Sequence, residues 1–128
     1  MNIVSRFGIL FVSALVLLSL SCGGGGARKL MRVEIYFDGQ ATDSVTTNAG
    51  TQMQFTAKAF DSNGVEVTGD AAFIWSMNSA YAAADVGTIS ADGLFTAGAT
   101  AGNYFQAIKL SGSSDGATDL DEVSLIIN

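Results

Sequence analysis

From Leu30 onward the chain is cut into short runs in which apolar and polar side chains alternate, with turn-forming residues between them. Val33, Ile35 and Phe37 alternate with Arg32, Glu34 and Tyr36, and Met53, Phe55, Ala57 and Ala59 with Gln54, Thr56 and Lys58. Phe73, Trp75 and Met77 share one side of a third run, and Val123, Leu125 and Ile127 one side of the last. A strand points successive side chains to opposite faces, so period two predicts half-buried antiparallel strands. Residues 88–90 and 94–97 flank Ala91-Asp92-Gly93, a hairpin signal, and residues 104–110 supply one more run. About seven such strands in roughly a hundred residues predict an all-β chain folded as a β-sandwich with Greek-key connections. No stretch of this region has the helical period, and the alanine-rich residues 80–85 suffice for one turn only.

The same residues limit the chemistry. The sequence has no histidine and one cysteine, which removes the Ser-His and Cys-His pairs of nucleophilic catalysis. No glycine-rich segment lies between a strand and a helix, so a phosphate cradle lacks its context. The reading is a non-enzyme without a resident cofactor. Six basic residues against twelve acidic ones leave a net charge of −6, a surface that repels nucleic-acid phosphates.

Ahead of the strands stands a leader: Arg6, an apolar run from Phe7 to Leu20, then Ser21-Cys22 and four glycines. Charge, apolar core and small residues before a break are the parts of an export signal, and about 20 apolar residues would be needed to span a bilayer. A cysteine directly after such a run resembles the lipobox of bacterial lipoproteins, whose signal peptidase cuts just before it. The resemblance implies a cleaved signal helix over residues 1–21 and a lipidated Cys22, with a glycine-rich tether through residue 29. Ser19 occupies the position where that family prefers leucine. Ser19-Leu20-Ser21 also fits the pattern cut by the general signal peptidase, which would leave Cys22 as a free thiol; an uncleaved anchor is the third reading. Arg28, Lys29 and Arg32 either rest on anionic headgroups or solubilise the first strand. Gly23 is not the aspartate that retains lipoproteins at the inner membrane of enteric bacteria, so the resemblance favours the outer membrane.

Four ordered blocks of the remaining sequence resemble the bacterial immunoglobulin-like domain of group 2. They are Gln54-Phe55-Thr56-Ala57-Lys58-Ala59-Phe60-Asp61-Ser62-Asn63-Gly64, then Phe73-Ile74-Trp75-Ser76, then Gly87-Thr88-Ile89-Ser90-Ala91-Asp92-Gly93-Leu94-Phe95-Thr96-Ala97, then Ala101-Gly102-Asn103-Tyr104. Gln106 departs from the aliphatic residue usual in that family. The resemblance implies a single immunoglobulin-like sandwich over residues 30–128, a binding or spacer role, and no catalytic residues.

Two candidate sites follow. In such a sandwich the loops after the second and sixth strands share one end, which would gather Asp61, Asn63, Glu66 and Asp70 with Asp115, Asp119, Asp121 and Glu122. Asp115, Asp119 and Asp121 are the candidate ligands for calcium, which takes six to eight oxygens; the alternative is ordinary polar loop chemistry. Because the first strand starts at this end, the acidic pole would face the tether and the membrane. On the outer face of the sheet holding the last strands, Ile74 and Ile126 point outward if Trp75 and Leu125 point inward. Between them one phase exposes Phe105 and the other exposes Tyr104 and Ile108. Ile74, Phe105 and Ile126 are therefore the candidate partner-binding residues, for an envelope protein or glycan. The sequence thus reads as a lipid-anchored envelope binding or assembly module, with a surface adhesin or a structural subunit of a larger envelope complex as alternatives.

Overall fold

The computed structural model describes residues 30–128; the leader, Cys22, Arg28 and Lys29 lie outside the described residues. The order of elements is β1 (Arg32–Phe37), β2 (Gln40–Ala41), β3 (Ser44–Thr47), β4 (Gln52–Phe60), β5 (Ala72–Met77), β6 (Gly87–Ile89), β7 (Leu94–Ala97), β8 (Gly102–Ser114) and β9 (Ala117–Ile127). Short 3-10 turns at Thr68–Asp70 and Ser79–Tyr81 interrupt the connections. The strands form two sheets, ordered β2-β1-β4-β7-β6 and β3-β9-β8-β5. The described chain is all-β, as the alternation predicts.

One core joins the sheets. Val33, Ile35, Phe55, Ala59 and Phe95 enter it from the first sheet; Tyr104, Ile108, Leu110, Val123 and Leu125 enter from the second. Fully buried Phe55 lies at its centre, with ring centroids of Phe37 at 5.5 Å and of Trp75 and Phe95 at 6.4 Å each. Burying an aromatic ring of this size is among the larger single contributions to such a fold.

The structure corrects the expectation of about seven antiparallel strands in two respects. Residues 40–41 and 44–47 form two further strands, and β3 runs parallel to β9, with Val45 beside Leu125 and Thr47 beside Ile127. After the tight turn at Asp38-Gly39, both at positive φ, the chain leaves the first sheet and joins the second. Val45 and Thr47 face inward there, but a four-residue run is too short for its alternation to stand out from turn residues. The second correction concerns β8 and β9, which continue as one hairpin to Ser114 and Ala117 around Asp115-Gly116. Asp119, Asp121 and Glu122 therefore sit on a strand, not in a loop.

At Gly112 the two sheets approach each other closely. It pairs with Asp119 across the hairpin, and a Cβ at this position would collide with Val33 Cγ1 on β1. Gly112→Ala should therefore lower stability by about 1–3 kcal/mol through overpacking, read as a lower urea midpoint with an unchanged slope. A neutral result would show that β1 can move away at no cost.

Candidate functional site

Strand β8 carries the feature that shapes the outer face of the second sheet. Tyr104 pairs with Leu125 but Ile108 with Val123, so β8 holds two more residues than β9 over this stretch. An even insertion preserves the pleat phase: Tyr104 and Ile108 both point inward and Phe105 points out. Gln106 lies inside the irregularity with φ of 51°. Its strained backbone is held from several sides. Its N–H donates to Ser124 Oγ (3.0 Å) and its carbonyl accepts from Asn78 Nδ2 (3.0 Å). Asn78 N–H reaches Ala107 O (2.7 Å), and the Tyr81 hydroxyl reaches Phe105 O (2.9 Å). The Tyr81 ring meets Tyr104 edge-on at 5.3 Å. The bulge is a buttressed platform, and Phe105 stands on it.

The predicted partner residues are all solvent-facing: Ile74 is 68% exposed, Phe105 69% and Ile126 37%. The register divides them. Asn103 opposes Ile126, which puts Phe105 on the diagonal from Ile126 on the same face. Ile74 opposes Ser111, which opposes Leu120, so Ile74 belongs to a different row. Between the two rows runs Ser76–Lys109–Glu122, with Lys109 Nζ 3.4 Å from Glu122 Oε1. Phe105 and Ile126 on one side, and Ile74 and Leu120 with Ser111 between them on the other, thus flank a charged strip. Leu120, 65% exposed, is the residue that sequence reasoning missed. Its signal was the alternation of Thr118, Leu120 and Glu122 against Asp119, Asp121 and Val123, hidden by reading these residues as loop.

The outer face of the first sheet is different. Arg32 Nε pairs with Glu34 Oε1 (2.8 Å) and its guanidinium lies over the Phe60 ring, while Lys58 reaches Glu66 (3.2 Å) and the Tyr36 ring. The Arg32 hydrogen bond holds the Glu34 carboxyl below its usual range. These exposed pairs contribute little to stability, but they give that face a closed, solvated charge network.

The structure gives the acidic candidates separate places and partners. Asp115 occupies the β8–β9 turn with φ of 51°, a left-handed position suited to Asp-Gly hairpins. Asp119 Oδ2 accepts the Val33 N–H (2.7 Å), and Asp121 Oδ2 accepts the Ile35 N–H (2.7 Å). Asp61 is buried and orders its own loop, accepting the N–H groups of Asn63 (2.8 Å) and Val65 (3.0 Å). Among the described residues no group of three His, Cys, Asp or Glu side chains is placed to hold a metal ion. The described chain does begin at this end, since Met31 N–H donates to Phe60 O (2.9 Å) and Arg32 pairs with Phe60.

Models of known protein families give no match to the chain, and a search of curated proteins finds none either.

Burial pushes the Asp121 carboxyl above its ordinary value; the Ile35 and Glu122 N–H groups oppose that push, and the nearby charges of Asp43 and Glu34 add to it. A raised folded-state value means that the folded chain binds this proton more tightly than the unfolded chain. The associated stability is therefore complete below the unfolded value of about 3.9 and lost as pH rises through the folded one. Asp121→Asn keeps an oxygen for Ile35 and removes the buried charge, so it should match or exceed wild type in urea unfolding at pH 7. That advantage should shrink as acid protonates Asp121. Asp121→Ala strands the Ile35 N–H and should cost about 1–3 kcal/mol. Equal losses in Asn and Ala would show that the negative charge itself is required.

Proposed function

We propose that this chain is a non-catalytic, lipid-anchored protein of a bacterial envelope, and that residues 30–128 form one immunoglobulin-like β-sandwich used as a binding or assembly module. The fold assignment is supported by the strand order. With β1, β4, β7 and β6 read as A, B, E and D, and β5, β8 and β9 as C, F and G, the two sheets follow the ABED and CFG arrangement of immunoglobulin domains. It is supported again by Tyr104, at the start of β8, whose hydroxyl donates to Thr100 O four residues upstream (2.9 Å). That is the tyrosine corner of such sandwiches. The group 2 resemblance and the lipobox resemblance at Cys22 supply the bacterial and envelope parts of the reading.

The observation that carries the binding role is Phe105. A large aromatic side chain is held out to solvent on a bulge whose backbone is fixed by Asn78, Tyr81 and Ser124. Rigid aromatic anchors beside a polar rim are the usual energetic centres of protein interfaces, because little entropy is lost when they are covered. The partner in this reading is an envelope protein or glycan that covers Phe105 and Ile126. The acidic end, where the described chain begins, would face the tether and bilayer. The second sheet would then stand sideways to the membrane, reachable by a neighbour.

Phe105→Glu should abolish partner capture in live-cell crosslinking while leaving the melting temperature within a few degrees of wild type, since the side chain is already solvated. A wild-type chain that captures nothing would refute the binding role. The anchor is tested separately: a palmitate analogue should label wild type and fail to label Cys22→Ala. Absence of label on wild type would remove the lipid and, with it, the orientation relative to the membrane.

A further inference from the structure

We propose that the free edge of β5 pairs antiparallel with the β5 edge of a second copy of this chain, centred on Trp75. Strand β5 closes one side of the second sheet and, among the described strands, is bonded only to β8. The Asn78 N–H points to Ala107 O on β8, so backbone groups two, four and six residues earlier, at Ser76, Ile74 and Ala72, also face β8. The N–H and C=O groups of Phe73, Trp75 and Met77 then face away from the sheet. Among the described residues no hydrogen bond meets them there.

Among the described strands the other edges are short or capped. The exposed side of β1 is capped by Asp119, Asp121 and β2, β6 is three residues long and β3 four. Strand β5 has six residues, Ala72–Met77, with no charge and no proline. An unguarded edge of this kind is a template for another strand.

A second copy fits it for reasons of charge and register. The chain carries a net charge of −6, so most two-fold contacts would set acidic residues against each other. Strand β5 offers a neutral, self-complementary edge. With Trp75 opposite the second copy's Trp75, Phe73 faces Met77 and Met77 faces Phe73 across the two-fold axis. This is the one antiparallel register that pairs all three outward-facing residues of both copies, through about six backbone hydrogen bonds. On the outer face Ile74 meets the second copy's Ser76, twice by symmetry. This inference is independent of the lipid anchor and of any partner on Phe105.

The outer-face pair provides the test. The full chain is purified in a nonionic detergent, and its association is followed by analytical ultracentrifugation over a concentration series. Wild type should form a reversible dimer. The double variant Ile74→Glu, Ser76→Glu sets like charges opposite each other twice and should raise the dimer Kd roughly tenfold or more. The double variant Ile74→Lys, Ser76→Glu places opposite charges there and should restore the dimer. Both positions are exposed, and Glu at 76 would face Lys109 within its own sheet, so folding should be retained by thermal melt. Association through the leader is common to all three chains and would not respond to residues 74 and 76. A monomeric wild type at every concentration overturns the proposal and leaves the edge to a strand of another protein. So does a double-glutamate variant that dimerises like wild type, or a Lys/Glu variant that stays monomeric. Should the double-glutamate chain fail to fold, the Lys/Glu dimer decides alone: it must be tighter than wild type and weaken with added salt.

Discussion

Two carboxylates tie the first strand to the last. Asp119 and Asp121 lie on inward positions of β9, where alternation would ordinarily place apolar side chains, and their oxygens accept the N–H groups of Val33 and Ile35. Those N–H groups face away from β4, and β2 is too short to reach them, pairing only with Tyr36 and Phe37. Without the carboxylates the edge of β1 would be both unsatisfied and open to other chains. The arrangement therefore solves two problems together: it satisfies buried donors, and it closes an edge with inward-pointing charge. Gly112 makes it possible, because any larger residue would hold Val33 away from the hairpin. The long β8–β9 hairpin, the entry of the chain and the closeness of the two sheets at this end all depend on that contact.

The opposite half of the same hairpin is organised by a different device. At Gln106 two extra residues are absorbed without changing which side chains face the core, and the connection after β5 is folded back to hold them. A left-handed non-glycine residue costs of order 1–3 kcal/mol and persists only where its surroundings fix it. Here Asn78 and Tyr81 fix it, and the consequence is an aromatic side chain presented to solvent on rigid backbone. Strain and display thus occur at the same place, which separates Phe105 from the ordinary exposed apolar residues of any surface.

The legible part of this fold was the part with one buried face. Strands β1, β4, β5 and the end of β9 alternate because one side of each meets the core. The outward positions of Ile74 and Ile126 came with that phase. The acidic hairpin was not legible, since Ser, Thr, Gly and Asp at residues 111–119 carry the composition of a loop and the inward aspartates break the apolar pattern. Their partners are backbone N–H groups, which no letter of the sequence records. The phase around Phe105 was undecidable for a similar reason. Whether residues are inserted in one strand depends on its neighbour, which the residues of β8 alone do not record.

Edges also distinguish the two sheets. The first sheet is bounded by a clasped strand and a three-residue strand, and its outer face is covered by Arg32, Glu34, Tyr36 and Lys58 in mutual contact. The second sheet keeps a neutral six-residue edge and exposes Phe105, Ile126, Ile74 and Leu120 on either side of Lys109 and Glu122. A chain under pressure only to stay soluble would have no reason to protect one sheet so fully and leave the other bare. Charged side chains serve on edges because a strand that pairs there must desolvate them, and β5 has none to desolvate. Neutral edge and rigid aromatic platform belong to the same sheet, so contacts at either would leave the acidic end and the first sheet untouched.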